Sequence, residues 1–155
     1  MLTPFNVELT RVARTARTEP KVHAASELDA LLPEAEVVVL ILPSTVESHH
    51  LIGTRQLGLM KQGTLLVNSA RGPIVDTNAL VVALNAGRIR AALDVTDPEP
   101  LPDGHALWKC PNLLLTPHVA GSSPQFGPRS LRNAAEELRR YMKGEPLKNA
   151  VQAAI

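Results

Sequence analysis

Four side chains with acid–base or anion-binding chemistry stand at the ends of three successive apolar runs of this chain. Arg71 follows the run TLLVNSA, and His118 closes the run NLLLTPH. Asp94 and Glu99 lie at and just beyond the end of RIRAALDV. An arginine can hold a carboxylate or polarise a carbonyl through two parallel hydrogen bonds, and an imidazole exchanges a proton near neutral pH. A carboxylate beside the imidazole fixes its tautomer and favours its protonated form.

Taken singly, each of these residues is more often a solvated turn residue than part of a site. Their occurrence at successive strand ends favours a shared site, because the carboxyl ends of parallel strands meet at one edge of a sheet. We therefore predict that the guanidinium, the carboxylates and the imidazole converge there.

The apolar runs that carry these residues belong to a series of predicted strands. The first strand is predicted at Asn6–Val12, with the sequence NVELTRV. The run EVVVLILP is predicted to be buried on both faces, because its apolar residues are continuous. The other predicted strands have the sequences KVHAA, TLLVNSA, RIRAALDV and NLLLTPH.

Amphipathic segments between the apolar runs predict helices. SELDALLPEA places Ser26 and Asp29 in capping-box spacing, and TRQLGLMKQG is closed by Gly63. DTNALVVALNAG begins at the N-cap Asp76, and SLRNAAEELRRYMKGE is predicted to be the longest helix, with one apolar stripe. Strands that alternate with helices predict an α/β fold, a doubly wound parallel sheet covered on both faces.

Composition and charge argue against several classes of protein. Hydrophobic residues make up 45% of the 155 residues, charged residues make up 20%, and the formal net charge is +1, so we expect no nucleic-acid partner and no membrane-surface partner. The longest apolar run, Val37–Leu42, is too short to span a bilayer, and the first residues show no secretory signal. The single cysteine, Cys110, fits a reducing cytosol, so we expect a cytoplasmic protein.

Other residues with reactive side chains give weaker signals. His49 and His50 have no Cys or carboxylate at metal-ligand spacing, and adjacent side chains at a helix start point apart, so we expect no metal site. Cys110 precedes a proline in a loop and is predicted to be unreactive. The sequence contains no G-x-S-x-G nucleophile elbow, which argues against a hydrolase.

Three sequence blocks in this order closely resemble the D-isomer-specific 2-hydroxyacid dehydrogenases. They are ARG…VD…AL, ALDV…EP and LLTPHVAG, and the resemblance extends from about Phe5 to Val151. It implies a Rossmann-like NAD(P)-binding fold and the interconversion of a small 2-oxo acid and a D-2-hydroxy acid. The bound cofactor would carry the hydride, and the protein would supply position and charge.

The resemblance also implies a role for each residue of the predicted site. Arg71 would bind the substrate carboxylate and carbonyl, and His118 would give a proton to the carbonyl during reduction. Glu99 would hydrogen-bond His118 and favour its charged form, while Asp94 would hold the nicotinamide carboxamide. Arg71 and His118 would also touch the cofactor. The remaining implied cofactor contacts are Leu42, Pro43, Thr45, Ser69, Ala70, Ala120 and Gly121.

The end of the first predicted strand bears on the choice between NAD and NADP. Members of the family often carry there an acid that binds the ribose 2′-hydroxyl of NAD. This chain has Thr10 and Arg11 at that position, with Arg14 close by. Because arginine attracts a 2′-phosphate that an acid would repel, we predict a preference for NADPH. The alternative is that Arg11 is only a surface charge.

The chain departs from the family pattern at its start. It contains no G-x-G-x-x-G, and no strand precedes NVELTR. We therefore expect residues 1–155 to form a partial NAD(P)-binding domain that lacks the first strand and the glycine-rich loop, with the substrate domain largely absent. These departures put the activity of the 155 residues alone in question.

Two hypotheses for function stay open at this point. The first is an NAD(P)-dependent 2-hydroxyacid dehydrogenase, and the second is a non-catalytic dinucleotide-binding or dimerisation module of the corepressor kind. Arg71, Glu99 and His118 argue for the enzyme, because a binding module needs no such set. The resemblance also implies a homodimer, with the Trp108 loop and the following helix as candidate contacts.

Overall fold

The computed structural model describes residues 5–150 of the chain. Within them the chain forms two compact units that divide between His118 and Val119. The strands are β1 (Val12–Ala13), β2 (His23–Ala24), β3 (Val37–Leu40), β4 (Leu65–Asn68), β5 (Arg90–Leu93) and β6 (Leu113–Leu115). The helices are α1 (Leu28–Leu31), α2 (Thr54–Leu59), α3 (Thr77–Asn85) and α4 (Phe126–Met142), with 3-10 turns at Ala25–Glu27, Leu32–Glu34, Gly72–Ile74 and Ala106–Lys109.

A four-stranded parallel sheet forms the centre of the first unit. Its strand order is β3–β4–β5–β6, while β1 and β2 pair in parallel in a separate two-stranded sheet. The register places the last residue of β4, Asn68, level with Leu40 of β3 and Leu93 of β5. The predicted alternation of helices with a parallel sheet is confirmed, and the carboxyl ends of the four strands lie along one edge.

One face of this sheet carries the apolar core. Leu40, Leu66 and Leu93 on the strands join Leu57 of α2 and Leu84 of α3 in one buried cluster. Removing each such leucine side chain from water stabilises the fold by roughly 1.5–3 kcal/mol. This packing fixes the strands that carry the predicted site residues.

The prediction that EVVVLILP is buried on both faces is wrong. Val37 and Val39 are 54% and 52% exposed, whereas Leu40 is buried. Alternate side chains of a strand point to opposite faces, and α2 and α3 pack on the face that carries Leu40. Leu114 of β6 is also exposed, so side chains on this face are exposed on both edge strands of the sheet.

The first predicted strand is wrong over most of its length. The observed strand is Val12–Ala13, which shares only Val12 with the predicted Asn6–Val12, so Arg11 precedes the strand instead of lying at its end. A strand needs a partner for its backbone groups, and β2 offers only two residues. Val7 and Leu9 are exposed, so burial of their side chains does not make up for the missing strand-to-strand hydrogen bonds.

Helix ends differ from prediction where local contacts compete. The first helical segment begins after Ala24, whose N–H donates to Glu27 Oε1 at 2.8 Å, and not at the predicted Ser26. The helix α2 ends at Leu59, short of Gly63, because Met60 is already extended. The prediction for α3 is confirmed, with the N-cap side chain accepting from two backbone N–H groups of the first turn.

The histidine pair and the long helix complete the comparison with the sequence. The rings of His49 and His50 stack with centroids 3.9 Å apart, because residues 46–50 form a turn and not the expected helix start. The helix α4 is confirmed as the longest described helix, and Leu131 and Met142 of its apolar stripe are exposed. Among residues 5–150, no helix combines the length and the apolar character needed to cross a bilayer.

Candidate active site at the carboxyl ends of the strands

A hydrogen-bonded carboxylate–imidazole pair lies beyond β5 and β6. His118 Nδ1 is 2.5 Å from Glu99 Oε1, and both side chains are partly exposed, at 47% and 38%. A carboxylate can only accept, so Nδ1 carries the hydrogen of this bond. The contact fixes the ring orientation and leaves Nε2 as the nitrogen that can exchange a proton with a ligand.

The backbone of His118 adopts a conformation that few side chains adopt. Its φ is +57°, in the left-handed region, and its N–H donates to the Thr116 carbonyl at 3.1 Å. Non-glycine residues are uncommon in this region, and they cluster at functional sites where the surroundings hold them in place. The tight turn directs the imidazole back toward the loop that carries Glu99.

The carboxylate of Asp94 is buried at the end of β5. Asp94 is 8% exposed, and its Oδ1 accepts from the hydroxyl of Thr116 at 2.5 Å. Its N–H donates to the Asn68 carbonyl at 2.9 Å, which continues the ladder between β4 and β5. A buried carboxylate requires such donors, because its desolvation is costly.

Arg71 lies in a turn that the side chain of Asn68 closes. Asn68 is 1% exposed; its Nδ2 donates to the Arg71 carbonyl, and its Oδ1 accepts from the Ala70 N–H, each at 3.0 Å. The Arg71 side chain is exposed, and its Nη1 donates to the Ala70 carbonyl at 2.6 Å. The guanidinium therefore lies at the end of β4, on a turn that the two hydrogen bonds of the Asn68 side chain stabilise.

The Arg71 turn is in direct contact with the loop that leads to Glu99. A Cβ added to Gly72 would lie 1.9 Å from the Thr96 carbonyl oxygen, so only glycine fits this approach. The Thr77 hydroxyl also donates to the Asp97 carbonyl at 2.9 Å. These contacts fix the distance between the two loops.

A cavity of about 490 Å³ opens between the ends of β3 and β4, lined by residues 41–44 and 69–71. It brings together the sequence-predicted contacts Leu42, Pro43, Ser69, Ala70 and Arg71. A larger cavity of about 850 Å³ lies against residues 16–19, 21–23 and 27, and it contains none of the predicted site residues. We assign the smaller cavity to the candidate site, because it adjoins the strand ends.

Besides Asp94 and His118, four predicted cofactor contacts lie outside the lining of this cavity, namely Arg11, Thr45, Ala120 and Gly121. Thr45 follows it directly, in a turn in which Thr45 N–H donates to Ser48 Oγ at 2.7 Å. Arg11 is exposed, and its carbonyl accepts from the His23 N–H at 2.8 Å. Arg11 immediately precedes β1. Ala120 and Gly121 are exposed residues of the second unit.

Sequence reasoning missed the residues that contact and stabilise the loops of the candidate site. Asn68, Gly72, Thr77 and Thr116 were not among the predicted site residues. One signal was available for Asn68, since a polar amide at the end of the otherwise apolar run TLLVN requires internal partners once it is buried. Thr77 and Thr116 gave no local signal, because their partners lie on other segments, and the glycine at position 72 does not identify the segment that approaches it.

Among the described residues, no group of three or more His, Cys, Asp or Glu side chains could hold a metal ion.

Comparison with known proteins places this chain among the dehydrogenases. The family model for the NAD binding domain of D-isomer specific 2-hydroxyacid dehydrogenases matches residues 1–120. The chain is 45% identical over 121 residues to a glyoxylate reductase of Thermofilum pendens, covering 77% of this chain and 36% of the relative. It is 39% identical over 130 residues to glyoxylate/hydroxypyruvate reductase B of Citrobacter koseri, covering 83% and 40%.

A solved structure shows the same architecture. The D-isomer specific 2-hydroxyacid dehydrogenase of Xanthobacter autotrophicus Py2, in complex with NADPH and MES, superposes with a TM-score of 0.80 at 37% identity, covering 91% of this chain and 59% of that one. The chain thus spans less than half the length of the two curated relatives above. The match of the domain model over more than two thirds of the chain decides the family. This chain belongs to the D-isomer specific 2-hydroxyacid dehydrogenase family.

Proposed function

We propose that this protein takes part in the NAD(P)-dependent interconversion of a 2-oxo acid and a D-2-hydroxy acid. The observation that carries the proposal is the 2.5 Å contact between His118 Nδ1 and Glu99 Oε1 beyond the strand ends. A dinucleotide-binding module has no use for a proton donor held in this way. The contact therefore favours the enzyme over the non-catalytic alternative.

Arg71, Glu99 and His118 have complementary roles in the proposed reaction. Arg71 binds the carboxylate of the 2-oxo acid and polarises its carbonyl, because a guanidinium offers two parallel donors to such a group. During reduction, His118 gives the proton on Nε2 to the carbonyl oxygen. Glu99 stabilises the charged ring before transfer, and in the reverse direction it helps the neutral ring accept the hydroxyl proton.

The residues at the strand ends fit part of a dinucleotide. The cavity of about 490 Å³ between β3 and β4 has the size of a small-ligand site, and the buried Asp94 carboxylate stands at the neighbouring strand end. Leu42, Pro43, Ser69 and Ala70 would hold the cofactor there, with Asp94 as acceptor for its carboxamide. When bound, NAD(P)H supplies the hydride.

The choice of cofactor and substrate is proposed from the relatives. The Xanthobacter structure contains NADPH, and the curated relatives are named for glyoxylate and hydroxypyruvate. We propose NADPH as the preferred cofactor through Arg11, and glyoxylate or hydroxypyruvate as the first substrates to test. Replacing Arg11 with Asp should reverse the preference in a fluorescence titration with NADPH and NADH. An unchanged ratio of the two Kd values would contradict the role of Arg11.

The cytoplasmic location, the homodimer and the assignment of 1–155 as a partial NAD(P)-binding domain stay predictions.

The experiment that tests the proposal compares wild type with His118→Gln. Oxidation of NADPH in the presence of glyoxylate or hydroxypyruvate is followed by the loss of absorbance at 340 nm. General acid–base catalysis contributes about 10²- to 10⁴-fold, so the variant should lose at least about 100-fold in kcat. His49→Gln makes the same change on an exposed turn and serves as the matched control.

Three results would separate the two functions. Turnover by wild type that falls in His118→Gln but not in His49→Gln supports the dehydrogenase. A folded wild type that binds NADPH without reducing either 2-oxo acid would instead support the non-catalytic alternative for these 155 residues alone. Equal turnover in all three chains would remove His118 from the reaction.

A further inference from the structure

The side chain of Asn68 is placed where it can control the geometry of Arg71. Asn68 ends the central strand β4 and is 1% exposed, so its amide is removed from water and must find partners inside the protein. Both partners lie on the turn that carries Arg71. Nδ2 donates to the Arg71 carbonyl, and Oδ1 accepts from the Ala70 N–H.

The pairing uses both halves of the amide. A donor must face the Arg71 carbonyl, and an acceptor must face the Ala70 N–H. An aspartate has the same shape but offers no donor when ionised, and a serine is too short to reach both groups. The turn therefore requires an amide at this position, which no purely apolar strand end would supply.

The position of the guanidinium depends on this turn. Arg71 has φ −150° and ψ 145°, an extended conformation, and its side chain is exposed, so neither a helix nor core packing restrains it. The Arg71 carbonyl also accepts from Ile74 at 3.4 Å, a longer contact than the one from Asn68. The amide of Asn68 is thus the nearer of the two donors to the main chain of Arg71.

Asn68 also connects this turn to the neighbouring strand end. Its carbonyl accepts from the Asp94 N–H at 2.9 Å, while its side chain holds the Arg71 turn. One residue therefore joins the proposed substrate arginine and the proposed carboxamide acceptor. A shift of its side chain would move Arg71 without breaking the ladder between β4 and β5.

We propose that Asn68 is a positioning residue for Arg71, whose buried side-chain amide sets the direction in which the guanidinium meets the carboxylate of a 2-oxo acid. This inference rests on the proposed function for the identity of the ligand. The hydrogen bonds that it invokes can be measured whether or not the chain turns over.

The test uses Asn68→Asp and the milder Asn68→Ser, with Asn78→Asp as the matched control. Asn78 is exposed in the first turn of α3, so the same chemical change there should leave turnover as it is. At pH 8, Asn68→Asp should raise the KM for glyoxylate at least tenfold, because its carboxylate cannot donate to the Arg71 carbonyl. At pH 5 the difference from wild type should shrink, since protonation of the new carboxyl restores a donor.

A double-mutant cycle separates positioning from general damage. If Asn68 acts through Arg71, then Asn68→Asp should lower kcat/KM for glyoxylate in the Arg71 chain but change it less than twofold in an Arg71→Ala background. Equal losses in both backgrounds would overturn the proposal. A KM within twofold of wild type in both folded Asn68 variants would also overturn it.

Amide hydrogen exchange tests the turn independently of turnover. The Ala70 N–H should exchange at least tenfold faster in Asn68→Ser than in wild type, while Asn78→Asp leaves it unchanged. If wild type reduces no 2-oxo acid, the proposed function fails and this measurement alone decides whether Asn68 holds the turn. Unchanged exchange at Ala70, or a failure of both Asn68 variants to fold, would show that Asn68 serves the sheet and not Arg71.

Discussion

Replacing Gly72 by alanine tests the contact between the loops that carry Arg71 and Glu99. A Cβ on Gly72 would lie 1.9 Å from the Thr96 carbonyl oxygen and 2.2 Å from its carbon. Real Cβ atoms essentially never come closer than 3.0 Å to another heavy atom, so the two segments must separate by about 1.1 Å. Both colliding groups belong to the main chain, and no side-chain rotation can relieve the clash.

The cost of this separation follows from the packing of the site. Forcing extra atoms into a well-packed interior costs about 1–3 kcal/mol, and the upper part of that range applies where backbone must move. We expect the free energy of unfolding of Gly72→Ala to fall by about 3 kcal/mol. With a urea dependence of about 1.5 kcal/mol per molar, the unfolding midpoint should fall by about 2 M.

Gly58→Ala provides the matched control for this measurement. Gly58 lies in α2 with nothing within 4 Å of the position of a Cβ, and alanine is the better helix former by up to about 1 kcal/mol. Its midpoint should stay the same or rise. Displacing positioned groups by about 1 Å costs about 100-fold in rate, so glyoxylate reduction should fall by that amount in Gly72→Ala alone.

Two results would refute this reasoning in different ways. An unfolding midpoint of Gly72→Ala equal to that of wild type would show that the loops do not approach so closely. A chain destabilised by about 3 kcal/mol that still reduces glyoxylate at the wild-type rate would show that the spacing of the loops does not control the site.

Two further substitutions can be tested by urea unfolding, and one prediction about Cys110 can be tested by thiol modification. Thr116→Val removes the hydroxyl that donates to the buried Asp94 at 2.5 Å, so stability should fall by about 1.5–3 kcal/mol, and an unchanged midpoint would contradict this contact. Asp76→Ala removes the acceptor for two N–H groups of the first turn of α3 and should cost about 1 kcal/mol; a cost near zero would mean that water replaces the cap. Burial raises the pKa of the Cys110 thiol, so at pH 8 iodoacetamide should modify the native chain more slowly than the chain in urea. Equal rates would show that the thiol is accessible.

The elements nearest the candidate site could be predicted from the sequence. The strands β4, β5 and β6 fall inside the runs TLLVNSA, RIRAALDV and NLLLTPH, and α3 begins after its predicted cap, Asp76. These features depend on residues within one segment, namely an apolar run or a side chain that binds the next turn. The contact between Glu99 and His118 adds one longer-range fact, which the family resemblance implied before the structure showed the distance.

The strands near the start of the chain could not be predicted in the same way. NVELTRV and EVVVLILP have the composition of strands, yet only Val12 of the first lies in a strand, and the second exposes Val37 and Val39. Whether a strand forms, and which of its faces is covered, depends on the neighbours it finds. A run of apolar residues carries no information about those neighbours.

The distance between the loops of the candidate site could not be predicted from the sequence for a related reason. Gly72 approaches the Thr96 carbonyl, and the Asn68 carbonyl accepts from Asp94, so main-chain atoms set the distance between the loops. Main-chain atoms are the same in every residue. In the sequence, only the small size of residue 72 and the side-chain amide of residue 68 indicate that these loops are in contact. The types of the proposed catalytic residues are the basis of the proposed chemistry, whereas we expect the small and buried residues that contact their loops to determine whether Arg71 and the Glu99–His118 pair can act on one ligand. Substitutions at Asn68 and Gly72 should therefore separate binding geometry from chemistry more cleanly than substitutions of the reactive groups, because they leave every reactive group in the chain.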